Sequence, residues 1–320
     1  MSVQKIINGD VRATARMIRR IDDGDREVLK DLAELYRYTG KSHIIGFTGS
    51  PGVGKSTLVD RIVTRFRRDG KTVGVLAVDP TSPFTGGAIL GDRIRMQKHF
   101  LDDGVFIRSL ATRGKFGGLT RSTADAIVVL QAMGKEVIIV ETVGVGQDEV
   151  DIVHNAHTTV LITIPGMGDD IQAIKAGLME IGDIFVVNKA DREGAAKTIR
   201  EIRMMLEMAG PRASQSAWNP PVIGAAALND EGVDELYQAI VEHRKFLLEQ
   251  GAGELKKLER DRVRNQLLDL LKEGLIENSL KLLGGIDSLE AVIEEIAEKK
   301  KDPYAVSEEL VHSLLGRGAP

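Results

Sequence analysis

The apolar run His43-Ile44-Ile45-Gly46-Phe47-Thr48 leads directly into Gly49-Ser50-Pro51-Gly52-Val53-Gly54-Lys55-Ser56. The chain then continues as Thr57-Leu58-Val59-Asp60-Arg61-Ile62, with apolar residues at helical spacing. A strand, a glycine-rich loop closing on Lys-Ser and a helix, in that order, form the phosphate-loop pattern. The glycines let backbone N–H groups turn inward around a β-phosphate, and the helix N-terminus adds its positive dipole end. Lys55 is expected to reach the β- and γ-oxygens, and Ser56 to ligate Mg²⁺. The expected phosphate contacts are therefore Gly49, Ser50, Pro51, Gly52, Val53, Gly54, Lys55, Ser56 and Thr57, with Lys55 also supplying catalytic charge.

The rest of the chain has the rhythm that such a loop requires. Short β-branched runs at 43–48, 72–78, 105–109, 136–142, 158–164, 184–188 and 222–225 alternate with amphipathic stretches. This predicts an α/β, P-loop NTPase fold with a mostly parallel central sheet flanked by helices. Residues 1–42 show only helical spacing, broken at Asp22-Asp23-Gly24-Asp25, and predict an N-terminal extension of two helices. The sheet domain is expected over 43–250. Over 254–283, Leu255, Leu258, Val263, Leu267, Leu270, Leu271 and Leu275 recur at three- and four-residue intervals. That spacing predicts an amphipathic helix of roughly 40 Å, at about 1.5 Å per residue. Two shorter helices, near 287–300 and 303–316, complete a C-terminal helical arm over 251–320. Its apolar stripe can fold back on the core or pair with a second copy, and a homodimer is the expectation.

Composition removes several alternatives. The net charge is −4 with both signs interspersed, so no broad basic field favours nucleic acid. There is no cysteine, hence no disulfide framework and no thiolate chemistry. No apolar run approaches the ~18 residues of a membrane span, and the first residues carry no segment of signal-peptide type. No membrane association and a cytoplasmic location are expected.

The base is read elsewhere in the chain. Asn188-Lys189-Ala190-Asp191 follows a strand and is similar to the guanine motif NKxD. The Asp191 carboxylate only accepts hydrogen bonds, so it can take both N1–H and the 2-amino group of guanine, whereas adenine would leave it unsatisfied. One strand later, Ala225-Ala226-Ala227-Leu228 resembles the segment of many GTPases whose backbone N–H meets guanine O6, without its hydroxyl. Ala225, Ala226 and Ala227 are carried as base contacts, the ligands being GTP and GDP.

Between these motifs lie candidate magnesium and switch residues. Asp79 ends one strand, Asp92 follows a Gly/Ser/Thr/Pro-rich loop, and Glu141 ends the run Val137-Ile138-Ile139-Val140. Mg²⁺ keeps several waters, so Ser56, Asp79, Asp92 and Glu141 can share one ion directly or through water. Asp92 can instead simply cap a helix. Glu141 and Asp92, with Gln147 as an outside candidate, are nominated to position the attacking water. Arg113 in a glycine-rich turn is either an internal arginine finger or an ordinary solvated residue.

Taken together, the phosphate loop, Asp79–Met96, Glu141-Thr142-Val143-Gly144-Val145-Gly146-Gln147, the NKAD segment and the helical tail resemble the MeaB/ArgK family of GTPases. The human methylmalonic aciduria type A protein belongs to that family. The resemblance covers nearly the whole chain, and it implies a G-protein chaperone for an adenosylcobalamin-dependent acyl-CoA mutase. Methylmalonyl-CoA and isobutyryl-CoA mutases are such enzymes, and GTP hydrolysis would gate cofactor loading and protect them. It further implies switch loops at 79–92 and 141–147 and a third, partner-sensing loop at 165–177, which by its own sequence can equally be an ordinary surface loop.

Two other functions compete. A nickel metallochaperone calls for clustered Cys and His, and His154-Asn155-Ala156-His157 is the only close pair, at helical i,i+3 spacing. An ATP-dependent kinase of a transport protein conflicts with the NKAD segment.

Overall fold

A computed structural model describes residues 3–80, 96–112, 118–142, 156–166, 182–209, 218–249, 252–282 and 284–314. Seven strands form one sheet: β1 (His43–Thr48), β2 (Val73–Pro80), β3 (Val105–Thr112), β4 (Val137–Thr142), β5 (Thr158–Thr163), β6 (Ile184–Asn188) and β7 (Val222–Ala225). Their order is β3-β2-β4-β1-β5-β6-β7, and every pairing is parallel. Strands β1, β4, β5 and β6 are buried along their whole length, as expected where helices cover both faces of a parallel sheet.

Alternate strand residues enter opposite cores, following the two-residue period of a strand. On one face Ile44, Leu76, Ile138 and Val140 pack with Met17, Ile18 and Leu35 and with Ala126, Val129 and Leu130. These come from α2 (Val11–Asp22), α3 (Val28–Leu35) and α5 (Gly118–Ala132). On the other face Ile45, Phe47, Ile139, Val160 and Val186 pack against Leu58, Val59 and Ile62 of α4 (Lys55–Arg68). Leu236 and Ile240 of α7 (Val233–Glu249) join the same cluster. A third cluster places Ile202 of α6 (Ala195–Ala209) over Leu161, Phe185 and Val187.

The N-terminal residues form three helices where two were expected, because α1 (Val3–Ile7) stops before α2 begins. Gly9 turns the chain at φ +84°, and the Asp10 side chain caps the next helix by accepting from the Ala13 N–H at 2.8 Å. The apolar spacing runs through this break and so conceals it. These helices share one core with β1, β2 and β4.

The chain divides into two compact units, residues 1–262 and 263–320. The long α8 (Ala252–Leu282) begins in the first and continues into the second, where α9 (Ile286–Ala297) and α10 (Pro303–Leu314) follow. In the second unit Val263, Leu267, Leu271 and Leu275 are all exposed. Among the described residues, no helix is long and apolar enough to cross a membrane.

Candidate functional site

The phosphate loop leaves β1 at the centre of the sheet, between β4 and β5. Chain connections run to opposite sides of this point, and a crevice at the carboxyl ends of the strands is where such sheets bind ligands. Two of the loop's glycines are dictated by close approach. Gly49, at φ +143°, would place a Cβ 2.1 Å from the Ile162 carbonyl oxygen of β5. Gly54, at φ +95°, would place one 2.3 Å from Asn188 Nδ2. Lys55 and Ser56 open α4 and are buried. The Lys55 ammonium donates to the carbonyls of Gly49 and Ser50, the latter at 3.0 Å, so the loop itself holds the cation at its mouth.

Glu141 lies at the carboxyl end of β4, in register with Phe47 of β1, and has no exposed surface. Its Oε1 accepts a hydrogen bond from Ser56 Oγ at 2.6 Å. A hydroxyl that gives its proton to Glu141 keeps its lone pairs for a cation, so Ser56 could ligate one with the carboxylate behind it. Two buried hard oxygens fit Mg²⁺, which takes few protein ligands and retains water. The Asp79 side chain, Asp92, Arg113, Gln147 and residues 167–177 lie outside the described residues.

The segments expected to read the base converge on the same loop. Asn188 is buried; its Nδ2 donates to the Val53 carbonyl at 2.7 Å, and its Oδ1 accepts from the Ala227 N–H at 3.2 Å. Lys189, at φ 56°, donates from Nζ to the Gly52 carbonyl at 2.7 Å. Asp191 is exposed at the end of this segment. Ala225 closes β7 in register with Asn188, and its carbonyl accepts from Ala190 N–H at 2.9 Å. Of the three alanines nominated for the base, Ala226 already donates its N–H to the Glu231 carbonyl at 3.0 Å, whereas the long Ala227 bond can be shared. Sequence reasoning missed Arg61, Arg65 and Asp230, which brace this loop against α4. The i,i+4 spacing of the two arginines marks a shared helix face, but nothing local links them to Asp230.

His157 is not on a polar helix but at the buried approach to β5, where its Nδ1 accepts from the Ile44 N–H at 3.2 Å. Burial, with Arg262 and Arg244 nearby, lowers its pKa to about 3. His154 lies outside the described residues. Among the described residues, no three His, Asp or Glu side chains form a group able to hold a metal.

Comparison with known proteins places these features in context. The family described as methylmalonyl-CoA mutase-associated GTPase MeaB matches residues 16–282. A candidate GTPase of Pyrococcus abyssi is 47% identical over 319 residues, covering 99% of this chain and 97% of that protein. The mitochondrial methylmalonic aciduria type A homolog of Caenorhabditis elegans is 31% identical over 299 residues, covering 90% of this chain and 73% of that one. A solved structure described as a LAO/AO transport system kinase superposes with a TM-score of 0.68 at 23% identity, covering 98% and 96% of the two chains. At that identity the likeness speaks for the fold.

Proposed function

Because the chain belongs to the MeaB family of methylmalonyl-CoA mutase-associated GTPases, we propose that its GTP cycle serves an adenosylcobalamin-dependent acyl-CoA mutase. In this role it is a G-protein chaperone that gates cofactor loading and protects the mutase. The family match over residues 16–282 carries this reading, and the relative bearing the methylmalonic aciduria name supports it.

Within the site, residues 49–57 cradle the phosphates, and Lys55 neutralises charge developing on the transferring phosphoryl. Ser56, with Glu141 behind it and Asp79 and Asp92 as further carboxylates, would hold Mg²⁺. A bound Mg²⁺ neutralises charge on the β- and γ-phosphate oxygens. Glu141 and Asp92 are the nominated positioners of the attacking water. Asn188 and Lys189 fix the base segment to the phosphate loop, and Asp191 reads the guanine N1–H and 2-amino group. The Ala227 N–H, beside Ala225 and Ala226, meets O6.

Among the described residues no unambiguous catalytic group completes this set, so intrinsic turnover should be slow and raised by the client. Purified methylmalonyl-CoA or isobutyryl-CoA mutase is expected to increase the rate at least about tenfold, below the 10³–10⁵ of an arginine supplied in trans. Equal rates with and without either mutase, with GTP binding intact, would remove the chaperone role and leave the GTPase.

The exposed Val263, Leu267, Leu271 and Leu275 favour pairing of the helical arm with a second copy. Sedimentation should give a dimer that Leu267→Glu/Leu271→Glu converts to monomer. A monomeric wild type at micromolar concentration contradicts this.

A further inference from the structure

The geometry points to Arg61 and Arg65 as positioning residues for guanine selectivity, holding the O6-reading loop at a set distance from the phosphate-reading helix. This rests on the assignment, under Proposed function, of the loop after β7 to guanine O6.

Both arginines lie on α4, the helix whose first turn carries Lys55 and Ser56. Arg65 is ten residues beyond Lys55, about 15 Å along the axis at ~1.5 Å per residue. Its guanidinium is buried, with 6% of the side chain exposed, and it grips Asp230 bidentately, Nη1 to Oδ1 at 2.7 Å and Nη2 to Oδ2 at 2.8 Å. Its third edge, Nε, donates to Asp234 Oδ1 at 2.9 Å. A planar fork matched to a carboxylate fixes orientation as well as distance. Asp230 sits in left-handed backbone at φ 64°, in the turn that closes the loop. Gly232, two residues on, would place a Cβ 2.1 Å from the Gly224 carbonyl, so the turn has little room to relax elsewhere.

Arg61 acts on the loop's peptide planes directly. Its Nε donates to the Ala227 carbonyl at 3.2 Å and its Nη2 to the Leu228 carbonyl at 3.3 Å. In a trans peptide the carbonyl and the following N–H point in opposite directions. Holding the Ala227 carbonyl against α4 therefore turns the Leu228 N–H away from that helix. Asn188 holds the Ala227 N–H, so Arg61 and Asn188 together fix this residue, whose N–H is assigned to O6. Phosphates and base are thus read by two elements joined through α4 and these side chains, and loosening the brace should blur recognition of O6 while leaving the phosphate loop intact.

The test compares affinities for GDP, 6-thio-GDP and IDP in wild type, Arg65→Met, Arg61→Ala and Asp230→Asn. 6-Thio-GDP alters only the O6 position, and IDP removes only the 2-amino group read by Asp191. The wild type is expected to prefer GDP over 6-thio-GDP. In the variants that preference falls by about tenfold, the scale of one hydrogen bond, while the GDP-to-IDP ratio is retained. KM for GTP should rise more than kcat falls. A merely structural brace would lower the melting temperature with the 6-thio-GDP ratio unmoved, and that result overturns the inference. If the wild type itself does not distinguish GDP from 6-thio-GDP, the base-loop assignment fails as well. Should Arg65→Met not fold, Arg61→Ala and Asp230→Asn decide the question, since both alter partly exposed side chains.

Discussion

Asp191→Asn should exchange guanine for xanthine. The Asn Oδ1 still accepts from N1–H, but its amide N–H₂ meets the 2-amino group of guanine donor to donor. Xanthine carries a carbonyl at that position and pairs with the amide. Loss of charge-assisted bonds in a site built to make them costs roughly 10²- to 10⁴-fold in GTP affinity, and XTP should gain correspondingly. Asp191 is exposed, so the melting temperature should stay within a degree or two of wild type, as for other surface changes. Competition between labelled GDP and XDP measures the exchange directly. Retained guanine preference would sink the assignment of residues 188–191, and ATP binding as tight as GTP in the wild type would revive the kinase alternative.

The second large effect is expected at Glu141. Removing it in Glu141→Ala deprives Ser56 of a buried charge-assisted acceptor 2.6 Å away. Such bonds contribute about 1.5–3 kcal/mol, so single-turnover hydrolysis should slow roughly 10- to 150-fold. The Mg²⁺ concentration at half-maximal rate should rise as well. Glu141→Asp, one methylene shorter, draws the carboxylate back from Ser56 and should lose most of the same rate. GDP affinity should change far less, because the residues proposed to hold the nucleotide, 49–55 and 188–191, do not depend on Glu141. Equal losses in hydrolysis and GDP binding would reduce Glu141 to a structural support of the loop.

Most strands were legible in the sequence to within a few residues, because buried parallel strands are continuous β-branched runs whatever their neighbours. The expected run at 158–164, for example, is observed as Thr158–Thr163. The helical breaks were less legible. The Asn8-Gly9-Asp10 interruption hides inside an apolar pattern that continues across it, and only the cap on Ala13 reveals the new helix. Nor does the i,i+3 spacing from His154 encode that His157 is buried at the approach to β5.

The sequence by itself determined the phosphate loop, the strand-to-loop placement of Asn188-Lys189-Ala190-Asp191 and the parallel α/β fold, since each depends on residues within about one element's length. Only the tertiary structure decided which distant groups meet. Glu141 reaches Ser56 across a sequence separation of 85 because β4 lies beside β1, although β2 and β3 come between them along the chain. Asn188 joins the phosphate loop to the base loop because β6 and β7 are neighbours on the far side of β5. Arg65 finds Asp230 at a separation of 165 because α4 and the start of α7 cover the same face of the sheet. Strand order sets those distances, and no local spacing encodes it.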